Sequence, residues 1–286
     1  MRRPGFEPGV GARQAVDICS QCQPIINYKA IKSEFEKWLL KRVDRETANK
    51  YVRYLDRYLD GAIISDVKDL VKVCDRVSTG WNWFAKAVRN LVNYCIDKRL
   101  ISKSWGIELK DVLKLKKTGF DTYVPSDEQV KQTLAKCKRQ EMRLVMKLVY
   151  YSGIRVREAL KILNDFDKDK LHIIDEIAYY DIDWERGNKK AFKAFMPAHL
   201  AKQLKQIEIT EYAVCDYFRR MGLPLKYGRN WFIDKMVKAG VQESLIKFMI
   251  GHSNGSVLMT NYLEKLNNSI HAYRKALPLL QSVLEQ

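Results

Sequence analysis

The chain has no apolar run long enough to cross a bilayer, and its opening residues, Met1-Arg2-Arg3-Pro4-Gly5, lack the apolar core of a secretion signal. An intracellular protein with no membrane partner is therefore expected. Histidine is scarce, with four residues dispersed at positions 172, 199, 252 and 271, and of six cysteines only Cys19 and Cys22 are spaced like metal ligands. A zinc site takes about four ligands, and no second Cys/His pair of suitable spacing lies near these two. Neither metal catalysis nor a cofactor is expected. Acidic residues are also in deficit, since 34 Asp and Glu stand against 51 Lys and Arg and leave a formal charge of +17. That excess asks for a polyanionic partner.

The excess is spread over the chain. Residues 29–117 carry 21 basic and 12 acidic side chains, a net of +9, and residues 118–286 carry 27 and 20, a net of +7. At 286 residues two domains are expected, each large enough for its own core. Residues 1–27 hold Pro4, Gly5, Pro8 and Gly9 and show no helical period, which reads as a flexible tail. From Tyr28 apolar residues recur every three or four positions, as in Phe35, Trp38 and Leu39, then Tyr51, Leu55 and Tyr58, then Leu70, Val71 and Cys74, then Phe84, Leu91 and Cys95. This spacing predicts four helices in a bundle over residues 28–117. A linker is expected over 118–126, after the basic run Lys114-Leu115-Lys116-Lys117. Ser126 then reads as an N-cap.

The second domain, 127–286, should begin with helices near 127–138 and 141–151. Three β-rich stretches follow, at 171–174, 177–182 and 191–196, with a turn at Glu185-Arg186-Gly187-Asn188. After Pro197 the pattern is helical to the end, with Gly240 and Gly251 as stops. The fold class is thus mainly α with a small three-stranded antiparallel β-sheet.

Four short motifs carry the chemistry: Ser152-Gly153-Ile154-Arg155-Val156-Arg157-Glu158, Lys226-Tyr227-Gly228-Arg229, Gly251-His252-Ser253, and Tyr262. A guanidinium is a permanently charged planar fork that fits phosphate oxygens, and a tyrosine hydroxyl beside it can attack phosphorus. Arg155 at a helix start adds the positive end of the helix dipole, whereas Arg157, two residues on, should point elsewhere. In this order the motifs resemble the active site of tyrosine recombinases, the phage-integrase family, and most of all integrases of crenarchaeal fuselloviruses.

The resemblance implies an N-terminal helical DNA-binding domain and a C-terminal catalytic domain that clamp double-stranded DNA. Arg155, Lys226, Arg229 and His252 would hold the scissile phosphate, Tyr262 would form a 3′-phosphotyrosine bond, and a homotetramer would join two sites. It also implies a lysine acid on the hairpin before Pro197, for which Lys189 leads over Lys190 and Lys193. The chain departs from the family in having Lys226 where histidine is usual, and in a His252-to-Tyr262 interval one residue longer than usual. Tyr273 is too far on to be the nucleophile. A type IB topoisomerase and a catalytically silent DNA-binding protein are the alternatives. Gly5-Phe6-Glu7-Pro8 can be encoded by GGN-TTC-GAA-CCN, which resembles the T arm of a tRNA gene, so the tail is expected to carry an attachment site in its codons.

Overall fold

The computed structural model describes residues 25–119, 121–186, 189–251 and 262–285; the side chains of 183–186, 189–192 and 262–263 lie outside that description. The expected tail of residues 1–24 and the turn residues Gly187 and Asn188 lie outside it as well. The chain divides into two compact units between Gly119 and Phe120.

In the first unit α1 (Tyr28–Leu40), α2 (Arg45–Leu59), α3 (Val67–Asp75), α4 (Trp81–Asp97) and α5 (Lys103–Val112) pack together. Side chains set most of the helix starts: Asn27, Asp44, Asp66 and Ser102 each accept a bond from the backbone three residues on. The apolar stripes meet around Phe35, Leu55, Leu70, Phe84 and Leu91, all without solvent exposure. Edge-to-face ring pairs, Tyr58–Phe84 at 5.4 Å and Phe35–Tyr94 at 5.7 Å, add about 0.5–1.5 kcal/mol each.

Two elements go beyond the sequence expectation. Helix α5 makes five helices where the periodicity predicts four. The last residues assigned to the tail are ordered: β1 (Ile26–Asn27) pairs antiparallel with β2 (Ile63–Ile64), and Ile26 is buried. Leaving α5, the chain is strapped to α4, where Asn82 exchanges two hydrogen bonds with the Lys116 backbone and Trp81 Nε1 donates to the Lys114 carbonyl.

The second unit begins with α6 (Asp127–Lys136), whose N-cap Ser126 and Gln129 form a reciprocal capping box. Helix α7 (Gln140–Ser152) and α8 (Val156–Asn164) follow. Then comes the antiparallel sheet, β3 (Leu171–Ile174), β4 (Ile177–Arg186) and β5 (Lys189–Pro197), in that order. Glu185 and Arg186, expected in the turn, are strand residues paired with Lys190 and Lys189. The longer hairpin is bent by an irregularity between Asp181 and Trp184, where two β4 residues face one on β5. Helices α9 (Ala198–Ala201), α10 (Glu211–Arg220), α11 (Gly228–Lys238), α12 (Glu243–Met249) and α13 (Tyr262–Leu284) complete the unit, with Gly240 and Gly251 each following the C-cap residue of α11 and α12. Trp231, Phe232, Tyr150 and Tyr273 form the aromatic centre of its core.

No helix among the described residues is long and apolar enough to cross a membrane. The expected linker of 118–126 is shorter at its C-terminal end, because Asp121 and Tyr123 already bond to side chains of the second unit.

Candidate active site

The site is built where the end of α7, the start of α8 and the start of α11 converge. Gly153 ends α7 with φ +65° and presents its carbonyl oxygen to the α11 side, where Arg229 Nη1 donates to it at 3.1 Å. A Cβ on Gly153 would stand 2.2 Å from the Phe232 ring, so both the left-handed backbone and the close approach demand glycine. Arg155 is the N-cap of α8, one position before the helix proper. Its backbone N–H and its Nη1 donate to the two carboxylate oxygens of Glu158, at 2.7 and 2.8 Å. Glu158 is buried, so this charge-assisted pair fixes the guanidinium against α8.

Glu158 closes the first sequence motif, where the sequence gives it no role of its own, and the structure makes it the partner of Arg155. Its signal was available: Arg155 and Glu158 lie three apart at a helix start, the spacing of a residue that reaches back to the N-cap.

Arg229 is drawn out of water more deeply. Its Nη2 is buried with no hydrogen-bond partner among the described residues. Burial first, and then the like charge of Arg155, push its guanidinium down to about 10, against the opposing pull of Glu158. It remains charged at neutral pH. Glu158 pairs with Arg155 and acts on Arg229 only through space, so the cluster keeps a positive charge and a donor without a partner among the described residues. Both border a cavity of about 580 Å³ that is also lined by Lys226, Arg157 and Arg219, by the carboxylates of Glu158 and Glu211, and by apolar side chains such as Val156 and Leu225. Such a pocket is suited to an oxyanion with several acceptor oxygens.

The three-residue spacing of Lys226 and Arg229 predicts one face of one helix. Instead Lys226 lies in a single 3₁₀ turn, Leu225–Tyr227, and is exposed, while Arg229 enters α11 and is largely covered; they meet only at the cavity. Arg157 turns to an ion pair with Glu211 on α10, in keeping with its different direction. Lys189 opens β5 opposite Arg186, with its side chain outside the description. Lys193 is buried, paired with Asp181 and 4.8 Å from the centre of the Tyr179 ring, and His172 Nε2 reaches the same carboxylate at 3.1 Å. His252 lies outside the described residues. Tyr262 is the first residue of α13, and its side chain is likewise outside. Tyr273 is fully buried, donates to the Tyr151 carbonyl at 3.0 Å, and has its phenol pushed well above the usual range by burial. It cannot serve as a nucleophile.

The sequence profile of archaeal phage integrases matches residues 122–279, more than half of the chain and every motif described above. The chain belongs to that family. It is a tyrosine-type recombinase by this membership. No curated protein matches the integrase in sequence. Among solved structures it is similar to a lambda integrase tetramer bound to a Holliday junction, at 13% identity and a TM-score of 0.61, covering 81% of this chain and 79% of that one. A lambda integrase fragment, residues 75–356, in a dimer on a COC′ core site matches at 13% identity and a TM-score of 0.57, covering 80% of this chain and 96% of that one. At such identity the likeness is one of fold.

Proposed function

We propose that the protein integrates and excises a viral genome by cutting and rejoining double-stranded DNA through a 3′-phosphotyrosine intermediate. The observation that carries this reading is the buried Nη2 of Arg229, without a partner among the described residues, on the cavity that Arg155 also borders. In this reading Arg155, Arg229, Lys226 and His252 donate to the nonbridging oxygens of the scissile phosphate. The Tyr262 hydroxyl oxygen attacks phosphorus, the bond to the 5′ oxygen breaks, and Lys189 protonates that oxygen as it leaves, while the phenolic proton passes to solvent. One phosphodiester replaces another, so the step stores its bond energy for rejoining. The engagement of Lys193 with Asp181 favours Lys189 or Lys190 as the acid. A tetramer on two attachment sites inside the host cell completes the scheme.

Incubation with a nicked duplex carrying the attachment site tests the chemistry. A covalent protein–DNA adduct that withstands denaturation and is absent from Tyr262→Phe is expected. Its absence from the wild-type protein would defeat the reading.

We also propose that a tRNA gene is the target and that the codons of Gly5–Pro8 form part of the viral site. A recoded gene with synonymous codons there should encode an active protein yet fail to integrate its own element. Undiminished integration would refute the attachment-site assignment alone.

A further inference from the structure

Lys226 stands on the rim of the arginine cavity with 62% of its side chain exposed. A lysine in such a place has four rotatable bonds and no reason of its own to point at a substrate. Its ammonium is nevertheless aimed. Nζ donates to Asp121 Oδ2 at 2.7 Å and lies 4.5 Å from the centre of the Tyr227 ring.

Asp121 is fixed in turn from α11 and α6. Asn230, the neighbour of Arg229, donates through Nδ2 to the Tyr123 carbonyl at 2.9 Å and more weakly to the Asp121 carbonyl at 3.4 Å. Tyr123 packs edge-on against Tyr227, with ring centres 4.6 Å apart, and its hydroxyl donates to Gln129 of the α6 capping box. Residues 121–123 are therefore fastened beside the 3₁₀ turn that carries Lys226.

We infer that Asp121 is a positioning residue, whose carboxylate holds the Lys226 ammonium at the mouth of the arginine cavity in place for a phosphate oxygen. The inference rests on the proposed role of Lys226 in binding the scissile phosphate. An ammonium has three donors, and Asp121 occupies one, which leaves two for substrate. An exposed ion pair contributes little to stability, so the effect falls on placement. A histidine at this position would be short and stiff, whereas lysine needs an anchor for its long stem. The same carboxylate, followed by Tyr227, raises Lys226 above its ordinary value, and Lys226 lowers Asp121.

The test measures the first-order rate of adduct formation on the nicked duplex, together with DNA affinity, for wild type, Asp121→Ala, Asp121→Glu, Lys226→Ala and the double variant. Asp121→Ala should slow cleavage about tenfold, within the range of coupling between neighbouring groups, with Kd changed less than about twofold. Asp121→Glu should recover part of the rate. In the Lys226→Ala background, loss of Asp121 should cost nothing further, because its effect runs through the lysine. Wild-type cleavage by Asp121→Ala, faster cleavage, or losses that multiply in the double variant would each overturn the inference. If Lys226→Ala itself cleaves normally, the assigned role of Lys226 falls, and the inference with it.

Discussion

Leaving tyrosines aside, the buried polar and charged side chains among the described residues are Thr133, Ser152, Glu158, Lys193, Lys235 and Ser269, all in the second unit. The first unit buries none of these types. Its ion pairs, such as Glu46–Lys50 and Arg42–Asp97, lie on the surface, and its core is aliphatic and aromatic. The second unit instead draws Arg229 out of water and sets Arg155 against a buried glutamate. One unit therefore keeps its charge in solvent, where it can follow a polyanion at little cost to folding. The other accepts a partly desolvated charge cluster, in which an anion can complete the Arg229 donor that has no partner among the described residues.

The sharpest way to break this contrast is at the chemistry. Tyr262→Phe should abolish the covalent adduct while leaving DNA affinity nearly intact, since only the nucleophilic oxygen is lost; an adduct at wild-type level would end the assignment. Next, Arg155→Ala and Arg229→Ala should each lower the cleavage rate about 10²–10³-fold, with a much smaller change in Kd. Equal losses in rate and binding would make them ordinary backbone anchors and erase the distinction between the units.

DNA binding should weaken steeply with salt, and the fragment 120–286 should show both lower affinity and a shallower salt dependence than the whole chain. A slope unchanged by removal of the first unit would show that its charge does not reach DNA. Fourth, the ion pairs themselves differ. Glu158→Ala leaves Arg155 without its buried carboxylate and should destabilise the fold by about 3 kcal/mol in chemical denaturation. Glu46→Ala, in an exposed pair on α2, should cost only about 0.3–0.5 kcal/mol. Similar values for the two would remove the energetic difference between the units.

Much of the architecture was readable because it is written locally. The three strands appear as β-rich runs between turn residues, and the motifs by themselves single out Arg155 and Arg229 as candidates. Helix α5 was missed for a tertiary reason. Gly106 interrupts its apolar period, yet a Cβ there would stand 2.5 Å from Ile96 Cδ1, so glycine is what lets α5 close on α4. The pairing of Ile26 with Ile64 has no local signal, nor does that of Asp121 with Lys226, 105 positions apart. Glu158 is the intermediate case, since its spacing from Arg155 was visible but the burial that gives it weight was not.

The open donor on Arg229 also bears on how long the protein survives. An oxyanion that fits there binds the folded chain and not the unfolded one, so engagement raises stability by mass action, about 2.7 kcal/mol at a hundredfold excess over Kd. Proteolysis that acts through transient opening follows the population of opened molecules. If that oxyanion is a DNA phosphate, copies seated on DNA should resist proteolysis longer than idle ones, and the lifetime of the enzyme becomes tied to its occupancy.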